Sequence, residues 1–277
     1  MSNDWIDVRH SAKYQIETIQ AHFEGHAYDA HWHDSYLVGL TRQGTQQFHC
    51  RRHKITSQPG DIFLLEPGEI HDGDAPTAGG FTYQTFYLSP AWLDRQMRQL
   101  FHDTPGSYQL SFTKTLNSDR PLARQIANAF QSVHFGELTM VQQSALDNLL
   151  AGLAVHSHWR ARVDNASLPL ASAHRAREVI HSQFNEDLSL QDLANAVQTD
   201  RFSLTRAFKK AFGIAPHAYL IQLRLAQARI RLARGERPAQ VAAELGFADQ
   251  SHLGRWFRRA YRLSPAQYRQ ICTNLPD

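Results

Sequence analysis

The 277-residue chain is poor in cysteine and has no long apolar run. Its two cysteines, Cys50 and Cys272, lie far apart. So sparse a pair excludes a disulfide-built scaffold and suits a reducing compartment, and both thiols read as structural or incidental. No stretch approaches the roughly eighteen apolar residues of a membrane span. The apolar run at 149–155 is short and ends in His156, Ser157 and His158. The opening residues, MSNDWIDVRHS, lack a basic stretch followed by an apolar one, which predicts no signal peptide. These absences predict a cytoplasmic protein with no membrane partner.

What is present is an uneven charge. The net charge is +3, but from Ser172 onward 16 Lys and Arg stand against 9 Asp and Glu. The tail is therefore strongly basic and the preceding part acidic, which points to a polyanion as the tail's partner. The length suits two domains, each with its own core.

Residues 14–90 read as strands and turns. Segments such as SYLVGL, TQQFHC, DIFLLE and FTYQTFYL alternate with QPGD, EPGE and APTAGG, a pattern that predicts a sandwich or small barrel. After Pro90 the spacing becomes helical. In TMVQQSALDNLLAGLAVHSHW, Leu146, Leu149, Leu150 and Leu153 form an apolar stripe. It either packs on the barrel or pairs with the same helix of a second subunit. The polar, proline-containing stretch near 164–171 is the linker candidate. It separates a domain over 1–163 from one over 172–277.

The second domain carries clear helix punctuation: Ser189 with Asp192, Asp200, Gly213, Pro216, Gly235, Pro238, Gly246, Asp249 and Pro265. It also repeats itself. Shifted by 49 residues, DRFSLTRAFKKAFGIAPHAYL (200–220) lies over DQSHLGRWFRRAYRLSPAQYR (249–269) without a gap. Leu204 meets Leu253, Arg206 meets Arg255, Phe208 meets Phe257 and Pro216 meets Pro265. Each copy reads as a short helix, a tight turn and a longer helix.

Helical geometry divides each copy into two faces. Leu204, Phe208, Ala211 and Phe212 point inward, as do Leu253, Phe257, Ala260 and Tyr261. Phe202, Thr205, Arg206 and Lys209 point outward, as do Ser251, His252, Arg255 and Arg259. An arginine among small polar residues suits the major groove, where it can pair with guanine O6 and N7. Lys209 and Arg259, nearer the helix ends, are better placed for phosphates. The stretch 216–235, as one helix, spans about 30 Å, close to one duplex turn of about 34 Å. The copies differ at Phe202 and Thr205 against Ser251 and His252, so they should read two different half-sequences.

Residues 172–272 resemble the DNA-binding domain of the AraC/XylS family of bacterial transcription regulators. The resemblance rests on LANAVQTDRFSLTRAFKKAFGIAPHAYL, RLAQARIRLARG and VAAELGFADQSHLGRWFRRAYRLSPAQYR. It implies a seven-helix domain of two helix-turn-helix units, with base-reading positions at Phe202, Thr205, Arg206, Ser251, His252 and Arg255. It also implies promoter DNA and RNA polymerase as partners.

In the front domain, GHAYDAHWHDSYLVGLTRQG (25–44) resembles the first cupin motif and GDIFLLEPGEIH (60–71) the second. The expected architecture is thus α+β: a cupin-like β-barrel with appended helices, then an all-α domain whose two units share a long helix. Enzymatic cupins carry a glutamate where this chain has Leu37. His31, His33 and His71 either form a three-histidine ligand set or line a pocket and hydrogen-bond the strands. No cofactor or metal is expected. The resemblance makes the barrel an effector-sensing domain, with His31, Trp32, His33, Tyr36, Glu66 and His71 as candidate lining. Strand alternation turns Trp32 away. Glu66 stands where the motif usually has proline, and either favours a cationic or hydroxyl-bearing ligand or lies at the rim.

The function expected is an effector-responsive, DNA-binding transcription activator, not an enzyme, in the form of a homodimer. Two other readings stay open: a cupin metalloenzyme tethered to DNA, and a constitutive regulator whose front domain only dimerises.

Overall fold

A computed structural model describes residues 3–51, 53–100, 108–161 and 171–273. The chain falls into two compact units, over 1–162 and 163–276. All but the last residue of the linker expected at 164–171 lies outside the described residues.

The first unit opens with nine strands: β1 (Trp5–Ser11), β2 (Ile16–Phe23), β3 (His26–His31), β4 (Tyr36–Gly44), β5 (Gln46–Cys50), β6 (His53–Ser57), β7 (Ile62–Leu65), β8 (His71–Asp74) and β9 (Phe81–Leu88). Then come α1 (Pro90–Leu100), β10 (Tyr108–Phe112), β11 (Leu116–Asn117), α2 (Arg120–His134), α3 (Thr139–Val155) and β12 (Ser157–Ala161). One sheet has the order β1-β2-β9-β4-β7-β11 and another β3-β8-β5-β6, while β10 pairs with β12 alone. The first strand and the β10–β12 ribbon lie outside the span read as strands from sequence.

The two faces of the larger sheet have different uses. On one, Tyr36, Val38, Leu40, Ile62, Leu64, Phe86 and Leu88 join Trp92, Leu93 and Met97 of α1, Ile126 and Phe130 of α2, and Leu146, Leu149, Leu150 and Leu153 of α3 in a single core. The leucine stripe of α3 is therefore spent inside its own unit, where each buried leucine contributes about 1.5–3 kcal/mol. The other face looks toward the smaller sheet. There Gly39 is indispensable, because a Cβ would lie 1.9 Å from the Phe63 ring.

The second unit is all helix among its described residues: α4 (Ala171–Ser182), α5 (Leu190–Ala196), α6 (Arg201–Phe212), α7 (Pro216–Ala233), α8 (Pro238–Glu244), α9 (Gln250–Tyr261) and α10 (Pro265–Thr273). Local chemistry sets the boundaries. Ser189 and Asp192 form a reciprocal capping box, and the Asp200 carboxylate accepts from the Phe202 and Ser203 amides. Gly213 closes α6 at φ 77°, a left-handed conformation natural to glycine. In the second copy the same place holds Arg262 at φ 59°. The helices of the repeat, α6 and α9, have the same length and the same 49-residue offset. The whole is an α+β protein with a sheet-rich front and a helical, helix-turn-helix tail.

Candidate functional site

In the front unit, a cavity of about 30 Å³ lies between the two sheets. The smaller sheet supplies Tyr28, His31, Gln46, Phe48, His71 and Asp72, and the larger supplies Leu37, Phe63, Leu65, Tyr83, Thr85 and Tyr87. His33, from the turn before β4, completes the lining. His31, His33 and His71 are all buried, with one ring nitrogen from each lying within 4.8 Å of the others. His31 Nε2 and His33 Nε2 are 3.1 Å apart. His31 Nδ1 lies 2.6 Å from the Asp29 carbonyl and His71 Nδ1 2.9 Å from the Glu69 carbonyl. A carbonyl only accepts, so both Nδ1 atoms carry hydrogen. Burial, reinforced by His31, pushes the His71 pKa down to about 3, so its ring is neutral.

Two residues expected in this pocket stand elsewhere. Tyr36 faces the helical core, donates its hydroxyl to the Leu110 carbonyl at 2.7 Å and packs edge-on against Phe112. Glu66 lies past the end of β7 and belongs to an ion-pair cluster. Its carboxylate accepts from Ser111 Oγ (2.7 Å), the Phe112 amide (2.9 Å), Arg51 Nη2 (3.1 Å) and Arg160 Nη2 (3.2 Å). Four donors hold the carboxylate there, and Glu66 is not among the residues that line the pocket. Arg51 also pairs with Glu69, whose other oxygen accepts from the Glu66 amide at 2.8 Å. The pocket instead gains Tyr28, Tyr83 and Tyr87, which sequence reasoning missed. The alternation in FTYQTFYL was their signal: Tyr83, Thr85 and Tyr87 share one face, Phe86 and Leu88 the other. Trp32, as alternation required, is absent from the lining. Cys50 is buried and its pKa is pushed up to about 12, chiefly by burial, so its thiol is inert.

In the tail, Leu204 and Phe208 are buried, as are Leu253 and Phe257, while Ala211, Phe212, Ala260 and Tyr261 are half-buried. On the opposite faces Arg206, Lys209, Ser251, Arg255 and Arg259 are exposed. Phe202 is 75 % exposed, far more than a buried cap residue would be. Thr205 is half-buried above an apolar cavity of about 310 Å³ and donates its hydroxyl to the Arg201 carbonyl at 2.8 Å. It retains only an acceptor for any base edge.

His252 departs from its expected outward position. Its ring is half-buried and turned back: Nε2 accepts from the Trp256 indole N–H at 2.9 Å, and Nδ1 lies 3.3 Å from the Ala248 amide. Both neighbours are N–H donors, one facing each ring nitrogen, so whichever nitrogen accepts is already engaged.

A further residue was invisible as functional. Arg224, in the middle of α7, is buried. It donates through Nε to the Phe184 carbonyl (2.6 Å), through Nη2 to Glu186 (2.8 Å) and through Nη1 to Gly246 (2.5 Å). One guanidinium therefore ties the loop between α4 and α5, which leads into the first helix-turn-helix, to the α8–α9 turn of the second.

Comparisons with known proteins agree with this geometry. The profile of the AraC-like ligand binding domain matches residues 13–157, and that of a helix-turn-helix domain matches 193–271. The chain is 27 % identical over 246 residues to the arabinose operon regulatory protein of Salmonella typhimurium, covering 86 % of this chain and 84 % of that protein. It is 26 % identical over 251 residues to the HTH-type transcriptional regulator YbfI of Bacillus subtilis, covering 88 % and 86 %. The crystal structure of ToxT from Vibrio cholerae O395 has the same fold, with TM-score 0.55 and 13 % identity over 95 % of this chain and 100 % of that one. No helix among the described residues is long and apolar enough to cross a membrane. The chain belongs to the AraC family of DNA-binding transcription regulators, with an N-terminal ligand-binding domain and a C-terminal helix-turn-helix domain.

Proposed function

We propose that this chain is an effector-responsive activator, in which a ligand held between the two sheets by His31, His33 and His71 controls how the tail holds promoter DNA. Arg206 and Arg255 read guanines, Phe202 and Ser251 contact neighbouring base edges, and Lys209 and Arg259 hold phosphates. Thr205 and His252 flank this surface, one as an acceptor and the other as a brace for Trp256. The observation that carries the reading is the matched pair Arg206 and Arg255. Both are exposed, both lie on twelve-residue helices and each helix is N-capped by an aspartate.

The protein acts in the cytoplasm as a homodimer and contacts RNA polymerase. Exposed apolar side chains where α2 turns into α3, Phe135, Leu138, Met140 and Val141, support self-association. It is not an enzyme. Leu37 in the pocket supports this, because it puts an alkyl chain where a catalytic carboxylate would have to act.

Selection of sites from a random duplex pool, followed by anisotropy titration, tests the DNA reading. Arg206→Ala and Arg255→Ala should each lose about 1–3 kcal/mol of preference for the selected site over random DNA. Wild-type preference in both variants overturns the assignment.

A further inference from the structure

The two copies of the repeat differ behind their reading faces. The cavity of about 310 Å³ in the tail belongs to the first copy. The buried part of its lining is apolar: Ile180 of α4, Leu193 of α5, and Pro216 and Leu220 of α7. Leu188 and Leu190 extend this apolar wall, and α6 contributes Thr205. The second copy puts charge at matching places. Offset by 49 residues, Ile180, Leu188 and Leu220 meet Arg229, Arg237 and Arg269. Arg229 lies over the Tyr261 and Tyr268 rings, and Arg269 Nε donates to the Gly235 carbonyl at 2.7 Å. The apolar lining is therefore peculiar to the first copy.

Size and chemistry select the occupant. About 310 Å³ reaches the range of roughly 300–1,000 Å³ in which pockets enclose small organic molecules. An apolar cavity of about 150 Å³ takes benzene, so one ring or two fused rings fit here. A docked protein needs about 800 Å² of surface on each side. Among the large apolar side chains of this lining only Leu190 is exposed, at 39 %. No Asp, Glu, Lys or Arg lines the cavity, and its histidine, His217, is exposed. An ionised ligand would find no buried counter-charge, which selects a neutral one. Thr205 spends its hydroxyl hydrogen on the Arg201 carbonyl and keeps an acceptor, which suits a single O–H or N–H on the ligand.

We propose that this cavity binds a neutral one- or two-ring aromatic molecule carrying one hydrogen-bond donor, and that its occupancy alters DNA reading by α6 and not by α9. The lining draws on both helices of the first helix-turn-helix, and no residue of α8, α9 or α10 takes part in it. Thr205 and Arg206 are neighbours on α6, so a molecule held against Thr205 bears on the seat of the helix that presents Arg206. Such a ligand shifts DNA affinity to the extent that it prefers one setting of α6 over another. The site goes beyond the reading of the barrel and does not depend on it. Its effect on DNA rests on α6 as a base reader.

The test titrates the full-length protein with phenol, indole and 2-naphthol, read by calorimetry and melting temperature. The expected result is saturable binding of one molecule per chain with a rise in melting temperature. Indole-3-acetate, the same ring with a carboxylate, should bind at least tenfold more weakly than indole, and equal binding overturns the neutral class. Leu188→Arg, which installs the second copy's residue, should abolish uptake. Leu190→Ser, at an exposed position, should weaken it at least fivefold and guards against a folding failure, with circular dichroism as the check. Thr205→Val should weaken it about three- to tenfold, while the exposed apolar control Val155→Ser binds as wild type. Absence of saturable binding by all three probes, or uptake unchanged in folded Leu188→Arg and Leu190→Ser, overturns the site. Saturating probe should change affinity for a selected DNA site at least threefold, DNA should change probe affinity by the same factor, and the footprint should change only over the segment lost in Arg206→Ala. If the probe binds but DNA affinity and footprint stay fixed, the coupling to α6 falls and the ligand site stands. If Arg206→Ala footprints as wild type, the base-reading assignment falls, and the calorimetry still decides the ligand site.

Discussion

Gly246 and Arg224 are locked together across the second unit. At φ +72°, Gly246 offers its carbonyl to Arg224 Nη1, and a Cβ there would lie 2.7 Å from both Arg224 Nη2 and the Asn185 carbonyl. This explains the glycine of the ELGF segment. It frees space for a buried cation as well as turning the chain.

Gly246→Ala should therefore destabilise the tail by about 2–3 kcal/mol, from left-handed strain plus displacement of the guanidinium. Arg224→Met should cost about 1–3 kcal/mol, since three half-buried hydrogen bonds lose their charged donor. Gly254 is the internal control. It sits in α9, and a Cβ added there would meet nothing within 4 Å, so Gly254→Ala should stabilise by about 0.5–1 kcal/mol. Urea denaturation of the three variants checks the ranking.

Both units should weaken on mild acidification. His134 is buried, stacked on Phe130 and hydrogen-bonded to Thr18 and Asp7. Burial lowers its pKa, with Arg9 adding to the effect and Asp7 opposing it. In the tail, His181 is lowered by burial and then by Arg177. For both, the unfolded chain takes up the proton first as pH falls through about 6.5, so stability present above that pH is lost below it. Melting temperatures between pH 7.5 and 5.5 should fall, and His134→Gln should flatten part of the slope. A stability that rises toward pH 5.5 contradicts this.

The Glu66 cluster offers a route out of the pocket. His71 holds the Glu69 carbonyl, Glu69 and Glu66 share Arg51, and Glu66 takes Arg160 on β12, the last described element before the second unit. Glu66→Gln weakens the two arginine contacts while keeping the side chain's shape. It should leave ligand uptake by the barrel unchanged and reduce the effect of that ligand on DNA affinity. Paired titrations, ligand into protein and protein into DNA, separate the two. An unchanged DNA response in Glu66→Gln means the signal travels elsewhere.

Much of this was legible in the residues. The 49-residue repeat gave matching helices because the caps, prolines and buried leucines recur together. The pocket was legible in part. Along β4 and β7 a period of two sends Leu37, Phe63 and Leu65 to the pocket and Tyr36, Val38, Ile62 and Leu64 to the core, whereas Glu66 lies past the end of β7, where alternation no longer places it. Applied to Trp32 alone, it left Tyr36 misplaced. Arg224 was not legible, since its acceptors lie 22 to 40 residues away and RLAQARIRLARG reads as a solvated basic helix. His252 was within reach: Trp256 stands four residues on, one helical turn away, where the two rings must meet.

The central claim is that two non-equivalent helices, α6 and α9, read two different segments of one DNA site. A hydroxyl-radical footprint of the full-length protein on a selected site tests it most directly. The account predicts two protected segments about one duplex turn apart, with Arg206→Ala losing protection over one and Arg255→Ala over the other. Footprints identical to wild type in both variants, or loss of the same segment in both, would contradict it.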